Sequence, residues 1–286
     1  MGLFPRLPSR ATGRRSLRED LEALGLARGS VLVVHSSLRA VGRLEPGPEA
    51  LVRALQDVVG PSGLVVMPTF TYSIASWGFG PFHAPSTPSR AGLLTETFRR
   101  MEDVHRSLHP SHSVAAWGDG ARELAATDPA SHTPLGAGCP LHLAALRGAL
   151  VLLIGVGHER DSTIHIAECL APAPYLDVAF TPERDHETGL SLREDGTIAR
   201  STLREVPGSP EGFPALEPEL ERLGLQRAGP LAGATVRMAP AMAVIETAVA
   251  LLRRDPAFFL RSPAASEISR RRLERLRQLG LIGTAA

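Results

Sequence analysis

The stretch GHERDSTIHIAE, residues 157–168, follows directly on the apolar run VLLIGV, residues 151–156. It gathers Asp161, Thr163, His165 and Glu168 within about two helical turns, shortly after a buried strand. Asp161 or Ser162 suits a helix N-cap, which puts His165 in the first turn and Glu168 three residues on. Asp161 lies four residues before His165, so either carboxylate could hold the Nδ1 proton and fix the tautomer. The positive end of the helix dipole disfavours an imidazolium there and leaves a ring able to accept a proton. A general base needs these properties. The spacing is equally that of a satisfied, partly buried histidine beside a helix cap, and it does not separate the two.

Other stretches offer weaker chemistry. In HRSLHPSHS, residues 105–113, His105, His109 and His112 invite a zinc reading. Pro110, however, interrupts any helix that would align them, and no acidic ligand has matching spacing. Arg106, Ser107, His109 and Ser113 read better as donors to a phosphate or carbonyl, beside the alternative of a polar surface loop. Ser36-Ser37 has hydroxyls at the end of a strand but no Gly-x-Ser-x-Gly elbow. Gly136-Ala-Gly-Cys-Pro-Leu141 is a glycine turn before a helix, which could bring amides to an anion or be a tight loop. Cys139 has no evident basic neighbour to activate it, and Cys169 reads as a small core residue within a helix. No dinucleotide fingerprint or P-loop is present.

The elements that must carry these residues follow from periodicity. Residues 16–25 read as a helix opened by a capping box, Ser16 to Glu19. Residues 30–35 form a buried strand, 48–60 a helix stopping at Gly60, and 63–69 a second strand ending in hydroxyls at Thr69 and Thr71. The glycine-, proline- and aromatic-rich segment 72–90 is long enough to be a binding loop. A helix over about 92–101 follows, then short helices over 141–146 and 162–169 around a strand over 149–156. Short strands span 172–206 with a hairpin at Glu194–Thr197, and helices occupy 211–224, 240–254 and 264–279. This alternation predicts an α/β fold, a mixed central sheet flanked by helices, with ligands beyond the carboxyl ends of the strands. The expected organisation is a single domain over 1–286: a core over about 14–170 and a strand-rich, then helical, C-terminal subdomain over about 171–286 on the same core.

Composition bounds the function. The chain has 286 residues, is 43% hydrophobic and 21% charged, and has a formal net charge of +1, so no strong electrostatic grip on nucleic acid is expected. All 31 basic residues are arginine, which excludes a lysine nucleophile or Schiff base. Two cysteines are too few for a disulfide framework or a structural zinc site. The basic N-terminus lacks the apolar core of a secretory signal, and no apolar run approaches a membrane span. A cytoplasmic protein with no membrane partner is expected.

Several of these stretches, in order, resemble the aminoglycoside 3-N-acetyltransferase family of antibiotic acetyltransferases. They are VHSSLRAVG (34–42), GLVVMPTFT (63–71), TPSRAG (87–92), RSLHPSHSV (106–114), GAGCPL (136–141) and LIGVG (153–157) running into DSTIHIAE (161–168). The resemblance extends over about residues 14–260 and includes GATVRM (233–238) and DPAFF (255–259). It implies transfer of the acetyl group of acetyl-CoA to an amine of an aminoglycoside or similar compound, without a metal, on a single α/β unit. His165 matches the family's catalytic histidine and becomes the expected general base. Glu168 or Asp161 should orient it, with Glu168 preferred, and Thr163 should donate to the developing oxyanion. His35, Ser36, Ser37, Thr69, Arg106, Ser107 and Ser113 should line the coenzyme A channel. The chain departs from the family at Cys139, where serine is usual, and in the loop Trp77–Phe82. Asp177, Asp185 and Glu187 are candidate contacts for a cationic acceptor. The expected partners are coenzyme A and a small amine, and the family allows a homodimer. Two alternatives remain: a metal-dependent hydrolase using His105, His109, His112, His158 and His165, and a non-catalytic coenzyme A-binding protein.

Overall fold

The computed structural model describes residues 11–72, 81–128, 134–171, 173–176, 187–203 and 210–283. In chain order its elements are β1 (Thr12–Gly13), α1 (Arg14–Ala23), β2 (Val31–Ser36), α2 (Leu38–Val41), β3 (Leu44–Glu45), α3 (Pro48–Val59), β4 (Leu64–Pro68), β5 (Phe82–His83) and α4 (Leu93–Phe98). Then come β6 (His105–Arg106), β7 (Val114–Gly118), α5 (Ala121–Ala125), α6 (Pro140–Leu146), β8 (Leu150–Ile154) and α7 (Ile164–Leu170). The last part holds β9 (Glu187–Leu192), β10 (Ile198–Leu203), α8 (Glu217–Arg222), β11 (Arg227–Leu231), β12 (Ala234–Pro240), α9 (Ala241–Arg254) and α10 (Glu267–Gln278). None of the described helices is long and apolar enough to cross a membrane.

Seven strands form one mixed sheet in the order β11-β12-β8-β2-β4-β7-β6. Its centre, β8-β2-β4, is parallel, and antiparallel strands extend it on both sides. The central strands are apolar throughout because both faces are covered. Strand periodicity sends Val33, Val66, Val151 and Leu153 to one core. Leu32, Val34, Val65, Met67, Leu152 and Ile154 go to the other. Leu17, Leu21, Leu51, Leu55 and Phe98 of α1, α3 and α4 cover the second face. Leu141, Ile164 and Val244 of α6, α7 and α9 cover the first, with Phe213 from a 3-10 turn. A third, small cluster joins Tyr175 to Leu260 and to Leu273 and Leu276 of α10.

The chain leaving β2 crosses to β4 on one side, while the chain leaving β8 runs on to β12 on the other. Their paths diverge between β2 and β8, which opens a crevice at the carboxyl ends of these strands. Gly155 makes the turn out of β8 at φ +66, and a Cβ there would stand 2.4 Å from the Ala40 Cβ. Only glycine fits both conditions.

Three expectations are corrected. The first helix begins at Arg14 with Gly13 as its cap, and no side chain caps it. β1 already pairs with β3 just before it, so Ser16 lies inside the helix and the capping box does not form. The helix expected over 92–101 stops at Phe98. Strands β7, β11 and β12 were not foreseen. VAAWG is alanine-rich, and ATVRMAP has mixed polar and apolar positions although β12 is interior to the sheet. The hairpin β9–β10 does turn at the expected residues, where Asp195 accepts from the Thr197 amide at 2.9 Å and Gly196 has φ +82.

Candidate active site

From β8 the chain passes Gly155 and a 3-10 turn, His158–Arg160, into α7. On α7 the Nδ1 of His165 lies 2.7 Å from Glu168 Oε2. The other oxygen, Oε1, accepts a hydrogen bond from the Tyr175 hydroxyl at 2.8 Å. Glu168 is 1% exposed, so these two donors are what compensate its burial. An ionised carboxylate only accepts, so Nδ1 donates and the lone pair of neutral His165 resides on Nε2. The Phe213 ring packs edge-on to His165 at 4.8 Å between centroids and limits its rotation. Burial, with the Glu168 charge next and its hydrogen bond after, raises the Tyr175 hydroxyl well above its usual value, so it stays a donor. His112 packs on Phe70 at 4.7 Å. Burial, with smaller effects of His109 and His165, holds it neutral, well below the usual histidine value.

Asp161 does not orient His165. Its Oδ1 accepts from the Thr163 amide at 3.0 Å and from the Thr163 hydroxyl at 2.5 Å. Its Oδ2 lies 3.1 Å from His158 Nδ1. The hydroxyl of Thr163 is thereby committed and fully buried, so it is not placed as a donor to a thioester oxygen. The cap of α7 is Thr163, without a capping side chain.

Beside this turn a cleft of about 660 Å³ occupies the crevice at the strand ends. Of the seven residues expected to line a coenzyme A channel, His35, Ser36 and Ser37 lie on the wall of this cleft. Thr69, Arg106, Ser107 and Ser113 lie off the cleft and hold the fold. The Arg106 Nε donates to Thr69 Oγ1 and Ser113 Oγ at 3.1 and 3.0 Å. Its Nη2 donates to the Thr69 carbonyl at 2.7 Å, and Nη1 to the carbonyls of Ala84 and Thr87. The guanidinium lies over the Phe82 ring, 4.8 Å from its centroid. Burial, with the nearby Arg99 charge, lowers its affinity for the proton. Ser107 accepts from the Val114 amide at 2.9 Å. Replacing Arg106 by alanine is therefore expected to lower stability by about 3 kcal/mol, because several carbonyls lose their donors. The KM for acetyl-CoA should not move. Chemical denaturation and steady-state kinetics together check this.

The cleft is instead lined by arginines that motif reading passed over: Arg39, Arg90 and Arg160, all exposed, with Tyr72. Neither Arg39 nor Arg160 has an acidic partner among the described residues. Tyr72 is 55% exposed and takes φ +65, a backbone state rare outside glycine and asparagine. Arg39 lies just past the Ser36-Ser37 pair and Arg160 inside the chemical motif itself, so a tally of cations around those motifs would have found them.

Among the described residues, no three or more His, Cys, Asp or Glu side chains are gathered to hold a metal ion. His105 lies on the edge strand β6, and His158 is engaged with Asp161. Cys139 caps α6, its sulfur accepting from the His142 amide at 3.4 Å. Burial pushes its thiol up to about 12, so it is an inert cap. The acidic candidates Asp177 and Asp185 and the loop residues Trp77–Gly80 lie outside the described residues, as does the side chain of Glu187.

A histidine–carboxylate pair on the helix that follows an arginine-lined crevice now has relatives to be set against. The family model for aminoglycoside 3-N-acetyltransferase matches residues 33–253. The chain belongs to this family. It is an acetyl-CoA-dependent N-acetyltransferase. It is 35% identical over 240 residues to aminoglycoside N(3)-acetyltransferase IV of Salmonella sp, covering 84% of this chain and 87% of the relative. It is 31% identical to aminoglycoside N(3)-acetyltransferase VII of Streptomyces paromomycinus, over 83% of this chain and 90% of that one. The crystal structure of the AAC(3)-IVa apoenzyme superposes with a TM-score of 0.77 at 31% identity, covering 93% of this chain and 98% of that one. The acetyltransferase AAC-IIIb in binary complex with CoASH superposes with a TM-score of 0.71 at 26% identity, covering 86% and 97%.

Proposed function

We propose that this acetyltransferase moves the acetyl group of acetyl-CoA to an amine of an aminoglycoside, with His165 as general base and Glu168 as the residue that orients it. The observation that carries this reading is the Tyr175–Glu168–His165 chain, which leaves Nε2 as the proton acceptor. A histidine-to-alanine variant of AAC(3)-IVa is known in complex with a gentamicin, in a structure that superposes with a TM-score of 0.77 at 31% identity. That precedent supports the class of acceptor.

The acceptor arrives as an ammonium ion. Nε2 of His165 takes a proton from it, the freed nitrogen attacks the thioester carbonyl carbon, and the C–S bond breaks. The sulfur leaves as a thiolate and takes the proton from His165, while the second proton that nitrogen loses as the amide forms passes to solvent, so the products are an amide, a thiol and a proton. With Thr163 engaged by Asp161, the donors to the developing oxyanion are drawn in this reading from Ser36, Ser37 and Ser162, which line the cleft.

The donor is assigned to the cleft. Coenzyme A carries phosphates, and arginines suit phosphate recognition, whereas the same cations repel a polycationic aminoglycoside. The acceptor therefore reaches His165 from outside the arginine-lined part. Residues 1–286 act here as one catalytic unit, in which the part beyond about 171 supplies Tyr175 and Phe213 to the site built by residues 14–170.

Replacing both Arg39 and Arg160 by glutamine is expected to raise the KM for acetyl-CoA about tenfold, the loss of one or two charge-assisted contacts. Its kcat should stay near native. Acetyl-pantetheine, which lacks the nucleotide, should show no such difference between the two proteins. An equal loss with both donors would remove the arginines from phosphate recognition.

A further inference from the structure

Both nitrogens of His158 face acceptors. Nδ1 lies 3.1 Å from Asp161 Oδ2, and Nε2 lies 2.7 Å from the Gln226 side-chain oxygen. The orientation of the Gln226 amide is fixed from its far side, where its nitrogen donates to Glu217 Oε1 at 3.1 Å. Glu217 is in turn held by the Arg237 guanidinium. With an oxygen before each ring nitrogen, the ring carries two protons and a positive charge. Asp161, 1% exposed like His158, answers with a negative one and accepts three hydrogen bonds in all. Burial works against the charge on each. The contacts between them nevertheless raise His158 above the usual histidine value and lower Asp161 below the usual carboxylate value.

This ion pair lies beneath the turn from β8 to α7. On the cleft side the turn presents Glu159, Arg160 and Ser162; at its end Thr163, gripped twice by Asp161, starts the helix that carries His165. Through Gln226 and Glu217 the pair reaches β12 and the start of α8. His35 lies across from it, its Nε2 3.9 Å from Asp161 Oδ1. The groups facing the pair are therefore His35, Glu217 and, behind Glu217, Arg237. Burial, partly offset by Asp161, keeps His35 neutral at ordinary pH.

We infer that His158 is a positioning residue for the acetyl transfer, a buried imidazolium that holds Asp161 ionised and so sets the turn on which the cleft wall and the His165 helix both depend. The inference rests on the proposed function for its kinetic consequence, though not for the charge state. Its pH dependence follows in sign. A histidine whose folded value is raised supports the fold fully below its unfolded value of about 6.5, and that support is lost as pH rises through the folded value. The rate should therefore fall on the alkaline side.

The test has two arms. In the first, imidazole ¹⁵N NMR of the histidine-labelled protein at pH 7.5 is compared with that of His158→Gln. One histidine with both nitrogens protonated, absent from the variant, is the expected result. A neutral ring at this position overturns the inference, whatever the protein acetylates. In the second, kcat is followed against pH for the native protein, His158→Gln, Asp161→Asn and the double variant. Each single change should lower kcat tenfold or more, the double change no further, and the alkaline fall should vanish in all three. The double variant buries no unpaired charge and serves as the decisive case if the single variants do not fold. A folded double variant with native kcat and a native alkaline limb would reduce His158 to a part of the core. Absence of any acetyl transfer by the native protein would count against the proposed function, and the NMR arm would then decide the inference alone.

Discussion

His165→Ala is expected to lower kcat by about 10²- to 10⁴-fold, the range a positioned general base contributes. The KM for acetyl-CoA should change little, because the cleft is built by the ends of β2, β4 and β8 and not by the His165 ring. His165 lies at the first turn of α7, where its ring packs on Phe213 and donates to the buried Glu168. The variant should therefore lose some stability, and a melting curve with separately measured acetyl-CoA affinity separates loss of chemistry from loss of structure. A variant that still binds acetyl-CoA but turns over slowly also discriminates against a non-catalytic coenzyme A-binding protein. In that case there would be no turnover to lose. The measurement is steady-state thiol release, with acetyl-CoA affinity determined separately by calorimetry.

Glu168→Gln should be nearly as damaging, on the order of 10³-fold in kcat, although the substitution is almost isosteric. Glu168 accepts at both oxygens, from His165 Nδ1 and from the Tyr175 hydroxyl. A glutamine has one oxygen and one NH₂. If its nitrogen faces His165, Nδ1 must accept, the proton shifts to Nε2 and the base has no lone pair where the amine arrives. If its oxygen faces His165, the tautomer survives, but the negative charge that stabilises the imidazolium formed in the reaction is gone. Either way the transition state loses more than the ground state, so the loss should be in kcat rather than KM. Tyr175→Phe offers the internal comparison. It removes one of two donors to a buried carboxylate and should have a smaller effect of the same kind. Kinetics of the three proteins, with ¹⁵N spectra of the imidazole tautomer, check the order.

Parts of this arrangement were legible in the sequence. The buried runs 30–35, 63–69 and 149–156 do form the parallel centre of the sheet, and His35 and Ser36 at the carboxyl end of the first line its crevice, whereas Thr69 at the end of the second does not. The spacing of His165 and Glu168 identified a pair because three residues along a helix bring side chains together whatever lies around them. Asp161 satisfied the same spacing rule. What sets it apart are Tyr175, which binds Glu168, and His158 with Gln226, which claim Asp161. Those partners come from outside the motif or from a residue with no periodic signature, so spacing alone left the choice open. Thr69, Arg106, Ser107 and Ser113 misled for a related reason. Hydroxyls and an arginine near strand ends serve a ligand or satisfy buried backbone equally well. The carbonyls of Thr69, Ala84 and Thr87, all distant in sequence, reveal that Arg106 does the second. Strand β12 escaped because its mixed polar and apolar positions carry no signal of a buried strand, whereas tertiary pairing with β8 made it interior to the sheet.

Thiol release from acetyl-CoA with a panel of aminoglycosides, each product analysed by mass spectrometry and NMR, tests the central claim most directly. The predicted result is release that depends on the acceptor and a product carrying one acetyl group on an amine, with both lost in His165→Ala. Acetyl-CoA binding without acceptor-dependent release, or release that His165→Ala leaves unchanged, would contradict it.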